Sequence, residues 1–312
     1  MNDGVSDIHW LAGSVLMVRP LRFGFNPETA ESNSFQHHPE SEETHALAMA
    51  EFDGLVALLR SNGIQVVVVQ SSDPLTPDAI FPNNWFSTHA DGLLLLYPML
   101  APNRRRERSV EMVDLLHSLL PDAHLIDFSG EELNGIYLEG TGSIVFDHKN
   151  KVAYAALSPR TDAGLLTKVA EKLGYTPVSF HCIDPSGKPV YHTNVVLHIG
   201  PGYALIYVDG ITDLTERSRV LDSLQAGGLR IIPIDQQQLM NFCGNLLALR
   251  NADNIPCIVC SATAWNSFSM DQRQILSAYG RFVMAEIPVI EKIGGGGVRC
   301  MLAELFFKEE ER

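Results

Sequence analysis

The sequence predicts one α/β domain over residues 1–312, built as a closed ring of five similar units. Three observations lead there. A pattern of hairpin, amphipathic helix and strand recurs four times, at intervals of about 50 to 60 residues, as in a repeat array or propeller. The N-terminal strand, helix and strand lack a hairpin partner, while residues 298–305 read as an apolar strand that lacks a unit. Joining the two ends supplies a fifth unit and removes the exposed sheet edges. The alternative is an ordinary open α/β sheet, but no G-x-G-x-x-G after a strand and no P-loop pattern is present, so nucleotide binding has no support.

Taken in order, residues 14–19 (SVLMVR) read as a buried strand, and residues 26–39 as a polar loop holding His37-His38. Residues 42–62 carry Leu47, Phe52, Leu55, Val56 and Leu59 at helical spacing and stop at Gly63. A second buried strand spans 64–69. The first hairpin, 85–88 with 93–97, turns at His89-Ala90-Asp91-Gly92. Helix 104–120 and strand 124–128 complete that unit. The second has hairpin 142–147 with 151–156, helix 162–173 and strand 176–180. The third has 195–199 with 203–208, then 214–225 and 229–234. The fourth has 246–249 with 256–260, then 271–279 and 281–288.

Composition narrows the function. A 46% hydrophobic chain of 312 residues supports a large core, and a net charge of −14 argues against non-specific nucleic-acid binding. It favours small-molecule partners. The one strong basic run is Arg104-Arg105-Arg106. The N-terminus lacks a basic start followed by an apolar run, and no apolar stretch reaches the roughly 20 residues of a membrane helix. Five scattered cysteines imply no disulfide framework and fit a reducing, cytoplasmic compartment. Cys257 and Cys260 have C-x-x-C spacing, but they lie in a strand-like run without a second pair, so a buried strand is expected and no metal.

The most informative stretch is Gly294-Gly295-Gly296-Gly297-Val298-Arg299-Cys300. Four glycines cost backbone entropy and belong where the chain takes positive φ or approaches a ligand closely. A thiol beside them is open to a small substrate, with loop N–H groups available to developing charge. The plain alternative is a turn before an inert core cysteine. Matching places in the other units, each at the mouth of a hairpin, hold Asp78 to Trp85, Tyr137 to Ser143 with Glu139, Tyr191-His192-Thr193-Asn194, and Asn241-Phe242-Cys243-Gly244-Asn245. In a ring these converge on the axis. A thiolate attacking an sp² carbon, an imidazole as acid then base, and a carboxylate holding N–H groups form a coherent set.

In this order and spacing the motifs resemble the guanidine-modifying superfamily, the penteins, over nearly the whole chain. The matching pieces are Glu139-Gly140, Ser158-Pro159-Arg160-Thr161, His192 and GGGGVRC. The resemblance implies a five-bladed α/β propeller, a catalytic trio of Cys300, His192 and Glu139, and substrate-carboxylate arginines at Arg160 and at Arg104 or Arg105. It implies no metal or organic cofactor.

Two departures bear on substrate. Where deiminases carry an acidic residue after Phe-x-x, this chain has Asn84; where arginine deiminases have His-x-Asp, it has His192-Thr193-Asn194. A buried cation without counter-charge is costly, whereas an amide suits a neutral ureido group. Asp78 remains for one N–H edge. The sequence looks most like the citrulline-utilisation hydrolases, and the expected reaction converts L-citrulline and water to L-ornithine, ammonia and carbon dioxide. An arginine or acyl-arginine dihydrolase or deiminase and an amidinotransferase stay open. So does a non-catalytic ribosome anti-association factor of the same fold. Oligomeric state is not legible.

Overall fold

The computed structural model describes residues 8–39 and 43–307. The first seven and last five residues, and the start of the helix expected over 42–62, lie outside them.

Five three-stranded sheets are present among the described residues. The chain enters through β1 (Ser14–Arg19) and β2 (Gln65–Gln70), which pair in parallel across the helix Thr44–Ser61. Unit one is β3 (Phe86–Thr88), β4 (Leu93–Leu96) and β5 (His124–Asp127). Unit two is β6 (Val145–Asp147), β7 (Val152–Leu157) and β8 (Thr176–His181). Unit three is β9 (Leu197–Gly200), β10 (Tyr203–Ile206) and β11 (Arg230–Pro233). Unit four is β12 (Leu247–Arg250), β13 (Pro256–Ser261) and β14 (Arg281–Ala285). Finally β15 (Ala303–Leu305) returns to β1 antiparallel, Ser14 opposite Leu305 and Leu16 opposite Ala303. The fifth sheet is therefore shared by the two ends of the chain, and its pairing closes the ring.

Every unit has one plan. The first strand pairs antiparallel with the middle one, and the middle one pairs in parallel with the third across a helical crossover. The middle strands are buried along most of their length, as expected for apolar runs covered on both faces. First strands adjoin across the axis: β15 lies beside β3, and β9 lies between β6 and β12. Each is preceded by a tight turn: Pro82–Asn84, Gly140–Ser143, Thr193–Val195, the turn through Phe242, and Val298–Met301. These five turns gather the polar residues of the mouth.

Several expectations are corrected. The helix expected over 104–120 is two helices, Pro102–Arg105 and Val110–Leu119. Ser109 caps the second through Met112 N, which restarts the helix and leaves a break where Arg104 turns inward. The run over 298–305 is not one strand: a single helical turn carries Cys300, and only Ala303–Leu305 is extended. Leu47 is 46% exposed, and Ala48, Met49, Phe52, Leu55, Val56 and Leu59 form the buried face of its helix. That face packs in one cluster with Ile287, Ile290, Ile293, Val298 and Met301, so the turn that carries Cys300 rests on the core. Cys257 and Cys260, three apart on β13, pack into different clusters because alternate strand positions face opposite ways. Among the described residues no helix is long and apolar enough to cross a membrane.

Candidate active site

Glu139 caps the turn Gly140–Ser143 and is fully buried. Both its oxygens are engaged. Leu100 N–H donates to Oε1 at 2.9 Å; His192 Nε2 lies 2.8 Å from Oε2, and Arg160 Nη1 3.5 Å from it. Burial pushes this carboxyl up, but Arg160, the His192 bond and Arg104 outweigh it and draw it down to about 2. His192 goes the other way: burial lowers it to about 4, against the pull of Glu139. At neutral pH the pair is therefore an ionised carboxylate and a neutral imidazole. A carboxylate only accepts, so the proton sits on Nε2 and Nδ1 is the basic nitrogen. That edge faces Gly142, where an added Cβ would stand 2.8 Å from Nδ1 and 2.3 Å from Asn84 Nδ2. Glycine in the Glu-Gly-Thr-Gly turn is thus a requirement of close approach.

Cys300 is 3% exposed. Its sulfur lies 3.5 Å from Asn194 Nδ2 and 3.3 Å from Asn245 Nδ2. Burial raises the thiol, and the Asn245 bond, Arg299, the Asn194 bond and a Gly297 backbone bond partly oppose that rise. A buried, raised thiol rests protonated. Arg299 bonds Leu302 O and pairs with Glu304 at 3.0 Å, bracing the entry to β15. In the glycine run, Gly295 takes φ 65° after the helix Pro288–Gly294, and its carbonyl accepts from Tyr191 Oη at 2.6 Å and Asn33 Nδ2 at 3.2 Å.

The remaining candidates divide. Arg104 is buried and forked onto Glu107, with Nε and Nη2 each 2.9 Å from a carboxylate oxygen. Its Nη1 donates to Asn84 Oδ1, and Nη2 to Phe81 O at 2.9 Å. Arg105 points elsewhere, to Met99 O, Leu100 O and Glu132. Arg160 is buried between Glu139 and the 26–39 loop, with Nη2 2.9 Å from Thr29 O and 2.6 Å from Ser32 Oγ. Asp78 Oδ2 accepts from Asn26 Nδ2 at 2.7 Å and Thr29 Oγ1 at 3.0 Å. Asp78 Oδ1, Asn84 Nδ2 and both amide atoms of Asn83 are buried without a hydrogen-bond partner. Buried polar atoms are normally paired, so such a group at the mouth of unit one marks a place built for a polar guest.

The structure thus brings Glu139, His192, Asn84, Asn194, Arg160, Arg104 and Cys300 to one end of the ring, with Asp78 joined through Arg104 and the loop. It leaves Arg105 on the rim. Asn83 and Asn245 were not singled out by residue chemistry, although both stand at hairpin mouths, and nothing in the polarity of residues 26–39 revealed that this loop roofs the site. Among the described residues no group of three metal-ligating side chains is assembled.

Comparison with known proteins bears on the fold and the family. No curated protein matches the chain. The N-terminal domain of ArgZ, an arginine dihydrolase from the ornithine-ammonia cycle in Cyanobacteria, solved as a cysteine-to-serine mutant bound to substrate, is 16% identical with TM-score 0.72, covering 95% of this chain and 98% of that one. A cysteine-to-alanine mutant of AgrE with L-arginine is 16% identical with TM-score 0.74, covering 96% of this chain and 41% of that one. DDAH from Pseudomonas aeruginosa, a cysteine-to-serine mutant complexed with citrulline, is 14% identical with TM-score 0.68, covering 95% of this chain and all of that one. At such identities the likeness speaks for the fold. A family model described as N,N dimethylarginine dimethylhydrolase, eukaryotic, matches residues 19–307. The chain belongs to that family, within the pentein superfamily of guanidine-modifying hydrolases.

Proposed function

We propose that the protein hydrolyses the ureido group of citrulline, giving ornithine, ammonia and carbon dioxide, with Cys300 as nucleophile. The observation that carries this reading is the orientation of Asn84. A guanidinium has donors only, so the Asn84 atom on Arg104 Nη1 must be oxygen, which leaves Nδ2, buried beside Gly142 and His192 and without a partner, as a spare donor. A ureido oxygen accepts from such a donor. A substrate guanidinium, itself all donors, meets N–H with N–H there. Asp78 Oδ1 is left to take a ureido N–H.

In this reading His192 Nδ1 takes the Cys300 proton as sulfur adds to the ureido carbon. The imidazolium then protonates the departing ornithine amine, leaving S-carbamoyl-Cys300. His192 next accepts a proton from water, whose oxygen attacks the carbamoyl carbon; the thiol is restored and carbamic acid breaks down to ammonia and carbon dioxide. Glu139, with both oxygens engaged, orients the imidazole and stabilises its charged form. Arg160 takes the substrate carboxylate in place of its present acceptors, Thr29 O and Ser32 Oγ, so binding of the tail is coupled to the position of the loop.

A second reading, hydrolysis of N,N-dimethylarginine, is favoured by the family match. Amino-acid and amine analysis after incubation with citrulline, arginine and N,N-dimethylarginine separately, with Cys300→Ala as control, separates them. Ornithine from citrulline alone is expected. Citrulline and dimethylamine from dimethylarginine moves the assignment to the second reading, and ornithine with two ammonias from arginine moves it to a dihydrolase.

A further inference from the structure

Asn245 reaches the nucleophile from unit four, the one unit whose mouth residues have no part in the proposed reaction. It is 1% exposed and held in a tight turn: its N–H bonds Phe242 O at 2.8 Å, and Phe242 itself takes φ 60°. Its amide orientation is fixed by chemistry. Nδ2 lies 2.9 Å from the carbonyl of Asn194, which only accepts, so the nitrogen must be on that side. One N–H is spent on the carbonyl. The other is directed at Cys300 Sγ, 3.3 Å away and nearer than the Asn194 donor at 3.5 Å.

We propose that Asn245 is a further catalytic residue, whose N–H stabilises the Cys300 thiolate and whose bond to Asn194 O holds the two amides as a pair around the sulfur. A bond to an ionised acceptor is roughly twice as strong as a neutral one, so this donor favours S⁻ over S–H. When the free enzyme titrates, the thiol proton passes to solvent and the amide keeps its own. Among the described residues no cationic side chain is hydrogen-bonded to the sulfur; Arg299 is held by Glu304 and Leu302 O and favours the thiolate without such a bond. Asn245 is then the nearest side-chain donor supporting a nucleophile that burial disfavours, with Arg299 and Asn194 adding to it.

The test is the pH dependence of iodoacetamide inactivation, followed by alkylation of Cys300 with Cys300→Ala as the blank. It uses no substrate, so its outcome is separate from the citrulline assignment. In Asn245→Ala the midpoint is expected to move upward by about one pH unit, and alkylation at neutral pH to slow about tenfold. Asn245→Asp, the same shape with a carboxylate beside the sulfur, is expected to move it further, and Asn245→Ser, which restores a donor, to lie between wild type and Ala. Folded Ala and Asp variants whose profiles overlay the wild type would overturn the proposal. If the Ala variant does not fold, equal midpoints for Ser and Asp would overturn it as well.

Discussion

Asn84→Asp changes one atom at the point on which the proposed substrate choice turns. Arg104 Nη1 keeps an oxygen partner, and the unpartnered Nδ2 becomes a second oxygen carrying charge. For citrulline this removes a donor to the ureido oxygen and sets oxygen against oxygen, a loss of about 2 kcal/mol. For arginine it adds a charge-assisted bond, a gain of about 2 kcal/mol. The citrulline-to-arginine ratio of kcat/KM is therefore expected to fall about a thousandfold, at 1.4 kcal/mol per factor of ten. Ornithine and ammonia release from citrulline, and disappearance of arginine whatever its product, give the two rates. A thermal melt within a few degrees of wild type establishes that the variant is folded. A ratio within tenfold of wild type would show that Asn84 does not read the substrate head group.

Other perturbations test the surrounding physics. Glu291 is buried with Oε1 unpartnered, and burial pushes its carboxyl from the ordinary 4.5 up to about 7, with Ser261 and Thr263 opposing. An acid with a raised folded pKa loses stability as pH rises from the unfolded value through the folded one. Glu291→Gln should therefore melt higher than wild type at pH 8, by up to about 3 kcal/mol, and show no gain at pH 4; equal gains at both would refute the assignment. Glu139 has the opposite sign: its stabilisation is present above 4.5 and lost as pH falls toward about 2. Glu139→Ala leaves buried Arg160 without its carboxylate, so a destabilisation of about 3 to 5 kcal/mol in urea melts and a rate loss of at least a hundredfold are expected. Gly142→Ala drives a methyl into Asn84 and His192, and should reduce kcat far more than it lowers the melting temperature.

Much of the architecture was legible because it repeats. Apolar runs such as SVLMVR and VAYAAL, separated by helices at a steady interval, show strand, crossover and unit count without any site chemistry. The pairing of residues 14–16 with 303–305 follows from edges that have no other partner. Legibility failed where local sequence competes with tertiary contacts. Residues 104–120 have helical spacing throughout, yet Ser109 offers a cap and Glu107 a buried partner for Arg104, and together they break the helix. The turn holding Cys300 follows from four glycines pressed against Phe81, Asn33, Gln36 and Asn245, which no periodicity reports. In the site, Cys300, His192 and Glu139 stand out because a thiol, an imidazole and a carboxylate each occupy the equivalent mouth of a different unit. Asn245 and Glu107 do not, since an amide or an acid in a turn has many ordinary uses; only their distances to Sγ and to Arg104 single them out.

The central claim is that Cys300 attacks a ureido carbon, and the covalent intermediate tests it most directly. Wild-type enzyme mixed with citrulline, acid-quenched within milliseconds and digested, should yield the Cys300 peptide heavier by one carbamoyl group, with no such adduct in His192→Ala mixed for the same time. Turnover of citrulline with no adduct on Cys300 under any quench time, or an amidino adduct formed from arginine while citrulline gives none, would contradict the account.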